Sequence, residues 1–143
     1  MKGYKNNPEA NKQAFMDDSW FRTGDLASIS EDGVVTIADR LKELIKVNAY
    51  QVPPAELESV LREHPDVFDA AVVPMPDSVT GQKPKAFVVL RENKRVKDTE
   101  ILEFVSKRVA PYKRIKEIQF LNEIPKNPSG KILRRTLVEK YCQ

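Results

Sequence analysis

A chain of 143 residues that is 41% hydrophobic and 31% charged has room for one modest core and the balance of an ordinary globular protein. Its formal charge of +3 is too small for a nucleic-acid footprint, and no apolar run approaches the roughly 18 residues of a membrane span. One cysteine, Cys142, forbids an internal disulfide and fits a reducing compartment, and with a single histidine beside it no structural zinc site is expected.

Asn7-Pro8-Glu9-Ala10 reads as a helix start, with Asn as cap and Pro in the first turn. The helix is predicted to run to about Met16 and stop at Asp17-Asp18. Trp20 to Ser28 reads as a strand broken at Thr23-Gly24-Asp25. Asp32-Gly33 signals a hairpin, followed by the β-branched run Val34-Val35-Thr36-Ile37. A helix and a lone hairpin are marginal in water, so residues 1–38 call for a larger body to pack on.

From Leu41 the chain can build its own core. Leu44 to Val52 suggests a short hairpin turning near Asn48-Ala49. Pro53-Pro54 opens a helix with Leu57, Val60 and Leu61 on one face, ended by His64-Pro65, with His64 exposed. Phe68–Val73 reads as a strand, Pro74–Pro84 as a loop, and Ala86–Leu90 as a second strand. Asp98 or Thr99 caps the next helix, which turns Ile101, Leu102, Val105 and Val109 inward. Ile115–Leu121 gives a third strand and Ile132–Tyr141 a last helix. The expected class is α+β: a small three-stranded sheet with helices, plus an N-terminal β-hairpin. Cys142, near the end, is expected to be exposed.

Three segments carry the chemistry. In Pro125-Lys126-Asn127-Pro128-Ser129-Gly130-Lys131, a flexible Ser-Gly turn would let the Lys131 ammonium reach out from the surface. A P-loop is excluded, because Pro125 and Ile132 stand where it needs glycine and Ser or Thr. In Thr23-Gly24-Asp25 a carboxylate on a bend can accept from two hydroxyls, or simply stabilise its own turn. In Asp39-Arg40-Leu41-Lys42-Glu43-Leu44-Ile45-Lys46, Arg40 offers a planar donor fork to an oxygen-rich ligand, or pairs with Asp39 on the surface. Lys46 and Gln51 are readable as the wet edge of a hairpin. Lys107, Arg108, Lys113, Arg114 and Lys116 are a candidate basic patch, with a solvated surface as the plainer reading.

These three segments, taken in their order along the chain, resemble the last third of AMP-forming acyl-CoA synthetases of the adenylate-forming superfamily. The form Asp-Arg-Leu-Lys-Glu-Leu-Ile-Lys is most like the 4-coumarate–CoA ligase and luciferase branch. The resemblance spans essentially the whole chain. It implies the C-terminal domain of the acyl-CoA synthetase fold. Residues 1–40 would be the last elements of the large N-terminal domain and residues 41–143 the mobile C-terminal domain.

The resemblance makes Lys131 the lysine of adenylate formation, Asp25 the ribose ligand, Arg40 a nucleotide contact and Lys42 the hinge. Lys46 and Gln51 would contact the adenylate. Asn48 and Ala49 would lie where pantetheine passes; the branch commonly has Lys-Gly there, so either CoA binds with altered contacts or the thiol acceptor is left open. The implied reaction joins a small carboxylic acid to CoA through an acyl-adenylate, with ATP giving AMP and pyrophosphate and Mg2+ accompanying the ATP. No separate metal site is implied. The family's Gly-, Ser- and Thr-rich phosphate loop does not occur in these residues. The implied partner is therefore the N-terminal domain of the same enzyme, without which the chain is expected to be inactive. The rival readings are a luciferase-like enzyme with another acceptor, and a non-catalytic module binding a nucleotide or acidic partner through the basic patch. A cytoplasmic location is expected; a peroxisomal one would lack a C-terminal Ser-Lys-Leu signal.

Overall fold

The computed structural model describes residues 1–17 and 20–142. Helix α1 (Pro8–Ala14) is capped by the Asn7 side chain, which accepts from the Ala10 N–H. It stops at Ala14, two residues short of the expected end; Asp18 lies outside the described residues. Strands β1 (Asp25–Ile29) and β2 (Val35–Arg40) form a two-stranded antiparallel sheet. Then come β3 (Ile45–Val47), β4 (Tyr50–Val52), α2 (Pro54–Arg62), β5 (Val67–Asp77), β6 (Gly81–Leu90) and α3 (Asp98–Ser106). A 3-10 turn at Pro111–Lys113, β7 (Glu117–Phe120) and α4 (Arg134–Tyr141) complete the order.

Strand β6 is the axis of the larger sheet. β5 runs antiparallel along one edge. The other edge is shared: β3 meets it at Val47 opposite Gly81, and β7 runs parallel to it over residues 85–88. Strand alternation splits the core in two. Ala70, Val72, Ala86 and Val88 face a cluster that includes Leu57 and Leu61 of α2, Ile101 and Val105 of α3, and Ile45, Val47 and Val52 of the β3–β4 hairpin. Ala71, Val73, Phe87 and Val89 face a second cluster with Ile124, Leu137 and Cys142. Helix α4 is pinned over that second face. The buried Lys85 ammonium donates to the Tyr141 carbonyl at 3.0 Å and pairs with Glu117 at 2.7 Å.

The α+β class and the order of elements after residue 53 follow the sequence expectation; the sheet does not. It has five strands, because the β3–β4 hairpin joins it through β3. The expected loop at 74–84 is instead the distal half of a long β5–β6 hairpin. Proline argues against a central strand because it removes a donor. Here Pro74 and Pro84 lie directly opposite each other, and only a pair whose N–H positions point away from the partner strand tolerates that.

Three smaller expectations also fail. Neither Asp98 nor Thr99 caps α3; Lys97 occupies the cap position without a side-chain bond, and Asp98 is already helical. His64 is half-buried, with its Nδ1 accepting from the Asp66 N–H and its ring edge-on to Phe104. Cys142 is buried in the second cluster, and that burial pushes its thiol pKa up.

Candidate functional site

The Lys131 segment is a turn closed by hydrogen bonds. Lys126 and Ile132 form a bridge, and the Asn127 N–H donates to the Lys131 carbonyl. The Asn127 side-chain oxygen accepts three bonds at once: from the Ser129 N–H (3.1 Å), the Ser129 hydroxyl (2.8 Å) and the Lys131 N–H (2.8 Å). Gly130 turns the chain at φ +81°, a conformation an L side chain resists. Ile132, one residue on, packs on the second core cluster. Backbone and core thus fix the root of the Lys131 side chain, while its tip is half-exposed.

That tip lies 3.2 Å from Glu43 Oε1. The other Glu43 oxygen accepts from Arg134, the first residue of α4, at 2.5 Å. Arg134 also donates to the Val72 carbonyl and to both oxygens of Glu58. Glu58 is buried and accepts the Val72 N–H at 2.9 Å. Burial raises its pKa, against the pull of that N–H and of Arg134. A chain of alternating charge therefore runs from the buried Glu58 through Arg134 and Glu43 to Lys131 at the surface. Lys42, Glu43, Lys131 and Arg134 line one cavity of about 530 Å³.

Lys42 and Glu43 also line a second cavity of about 550 Å³, with Thr23, Gly24 and Arg40. Asp25 and Arg40 are cross-strand partners in β1–β2, and their side chains pair at 3.3 Å. The surface pair of Arg40 with Asp39 does not form. Asp39 is buried; one oxygen accepts from the Arg40 N–H and the other from the Ala55 N–H at 3.1 Å. Helix α2 starts on Pro53, which supplies no cap, so a carboxylate from β2 satisfies one of its free donors. Lys42 sits between these groups in an exposed turn, with the Glu43 N–H bonded to the Arg40 carbonyl.

Lys46 and Gln51 face each other across the β3–β4 hairpin. Ile45, Val47 and Val52 point into the first core cluster, so alternation turns Lys46 and Gln51 out to solvent. Val47 and Tyr50 close a two-residue turn, which makes the next rung the one whose N–H groups point away from the partner strand. The Lys46 N–H accordingly donates to the Gln82 side-chain oxygen at 2.8 Å, and the Asn48 N–H to the Thr80 carbonyl. Asp77 holds that neighbouring tip together, accepting from the Val79 and Thr80 N–H groups and the Thr80 hydroxyl. At the hairpin tip the left-handed position falls on Asn48 (φ +53°), a residue that tolerates it, so alanine serves at 49. Tyr50 stacks on Tyr112, with ring centroids 4.3 Å apart.

The structure thus groups Lys131 with Lys42, Asp25 with Arg40, and Lys46 with Gln51. The hairpin pair is absent from the cavity that holds Lys131. Glu43, Arg134, Asn127 and Gln82 support these residues and were not singled out in the sequence. Of the basic-patch residues, Lys107, Arg108 and Lys113 pair with Glu103, Glu63 and Glu56. Trp20 is exposed, and Phe21 lies against Phe15.

Lys42 and Lys131 thus stand at clefts on the surface of a domain whose sheet packs a core cluster on each face. Residues 56–131 match the AMP-binding enzyme C-terminal domain, and the chain belongs to that family. It is 53% identical over 139 residues to Peroxisomal OPC-8:0-CoA ligase 1 of Arabidopsis thaliana, covering 97% of this chain and 26% of that protein. It is 51% identical to 4-coumarate–CoA ligase-like 4 of Oryza sativa subsp. japonica, covering 97% of this chain and 25% of that protein. Among solved structures, ATP-bound MatB from Rhodopseudomonas palustris superposes with a TM-score of 0.93 at 33% identity, over 99% of this chain and 28% of that one. The chain spans about a quarter of the length of the curated relatives it matches. Among the described residues no helix is long and apolar enough to cross a membrane.

Proposed function

We infer that this chain is the C-terminal part of an ATP-dependent acid–CoA ligase. In the first half-reaction a small carboxylic acid attacks ATP, giving acyl-adenylate and pyrophosphate, with Mg2+ held mostly by the phosphates. In the second, CoA thiol displaces AMP. Lys131 is the residue that faces the growing charge of the first step. An ammonium at that point stabilises the attacking carboxylate and the α-phosphate together, in a site closed against water. Asp25 binds the ribose and Arg40 contacts the nucleotide. Lys46 and Gln51 contact the adenylate, and Asn48 and Ala49 flank the path of pantetheine.

Residues 1–40 close the large domain and residues 41–143 form the moving one, with Lys42 as the hinge. The rest of the enzyme is the partner, and the chain by itself is inactive. The observation that carries this reading is the placement of Lys131: held at its root, half-exposed at its tip beside Glu43, in a cavity that shares Lys42 and Glu43 with the one lined by Thr23, Gly24 and Arg40.

The test uses the full-length protein and its two half-reactions. Lys131→Ala should lower carboxylate-dependent ATP–pyrophosphate exchange by about a hundredfold or more. Thioester formation from preformed adenylate and CoA should stay within about twofold of the parent, since that step needs no charge at this position. Equal losses in both steps would defeat the assignment, and product release without CoA would point to another acceptor.

A further inference from the structure

We propose that Glu43 is the positioning residue of the adenylation half-reaction: its carboxylate sets where the Lys131 ammonium sits. The proposal rests on the role given to Lys131 above. Arg134 is anchored by both oxygens of Glu58 and by the Val72 carbonyl, and its Nη1 has Glu43 as its partner. Glu43 divides its two oxygens, one to Arg134 and one to Lys131. The first contact fixes the carboxylate to α4 and, through Glu58, to the buried backbone of Val72. The second passes that fixed point on to a side chain with four rotatable bonds. A half-exposed pair adds little to stability. Its effect is to choose one placement of the ammonium among the many open to a free lysine.

The geometry leaves Lys131 competent. An ammonium has three N–H donors. One bond to Glu43 leaves two for ligand oxygens, so the lysine need not leave its partner in order to act. Glu43 directly follows Lys42 and lines both cavities. The position of the ammonium is thereby referred to the segment about which the domain would turn. A lysine misplaced by about an ångström loses much of its effect on a developing charge.

The test is a double-mutant cycle in the full-length ligase, read by ATP–pyrophosphate exchange. Glu43→Gln still accepts from Arg134 but no longer attracts an ammonium. It should lower exchange about tenfold, mostly in kcat, and leave thioester formation from preformed adenylate unchanged. Placed on Lys131→Ala it should cause no further loss, because the group it acts through is gone. Glu43→Asp, which keeps the charge, should recover part of the exchange. The proposal is overturned if the two losses multiply, if Glu43→Gln harms both half-reactions alike, or if it harms neither. An undiminished exchange rate in Lys131→Ala alone would instead overturn the role of Lys131.

Discussion

Lys131 and Lys46 are both exposed lysines with fixed backbones, yet the chain fixes them in different ways. Lys131 stands on a turn held by one side chain, Asn127, and anchored through Ile132 in the second core cluster. Lys46 stands on a ladder rung whose neighbours Ile45 and Val47 belong to the first cluster. The turn can be loosened without touching the sheet. The hairpin cannot, because its attachment to β6 rests on one backbone rung, Val47 opposite Gly81, and on the bonds its Asn48 and Lys46 N–H groups donate to Thr80 and Gln82. The lesson is that the two lysines should be separable by mutation, each through its own support.

The largest effect should come from Gly81→Val. Gly81 has φ +80°, and a β-branched residue forced there costs about 2 kcal/mol or lets the hairpin tip rearrange. Either way the Thr80 carbonyl and Gln82 shift, and the Lys46–Gln51 rung loses its backing. In the full-length protein, thioester formation from preformed adenylate should fall by at least tenfold while adenylation falls less. A larger loss in adenylation would show that the two supports are not independent.

A smaller effect, of opposite sense, is expected from Asn127→Ala. It removes the acceptor of three bonds that lie near the surface, where water replaces part of what is lost, so stability should drop by only about 1 kcal/mol. Adenylation should fall severalfold and thioester formation should hold. Rapid hydrogen exchange at the Ser129 and Lys131 amides would report the loosened turn directly. Protection as strong as in the parent would show that the Lys126–Ile132 bridge holds the turn without Asn127.

The sequence yielded the helices and the hairpin at Asn48-Ala49 because these are local: periodicity and turn residues lie within a few positions of one another, whereas the candidate lysines came from the family resemblance. It misplaced the β5–β6 arm because Pro74, Pro76, Pro84 and Gly81 are individually loop signals, and only the register shows that two of the prolines face each other harmlessly. It could not show that Arg134 meets Glu43 and Glu58, 91 and 76 positions away, since nothing local pairs distant charges. The left-handed position of the hairpin tip was also hidden. Lys-Gly in the related branch suggests that the special residue stands second, whereas here Asn48 takes that conformation first. Cys142 was misread because chain ends are usually exposed. The Lys85 contact with the Tyr141 carbonyl is what holds this one down.

The finest distinction lies under the Lys131 support, at Glu58. Its folded pKa is raised above the ordinary carboxylate value by burial, so the native state binds this proton more readily than the unfolded chain does. The stabilising contribution of such a group is fully present below the unfolded pKa and is lost as pH rises through the raised folded value. Glu58→Gln keeps an acceptor for the Val72 N–H and for Arg134 and removes the titration. Urea unfolding of the chain at pH 7 and at pH 5 should show the parent gaining on the variant as the pH falls. Half-buried carboxylates such as Asp77, whose pKa is lowered chiefly by the Thr80 hydroxyl, act in the opposite sense: their contribution is lost on acidification in parent and variant alike, and it cancels in the difference. If the parent loses ground to the variant at pH 5, then Arg134 outweighs burial at Glu58. The ionic chain to Lys131 would then be held by attraction at its buried end as well as at its surface end.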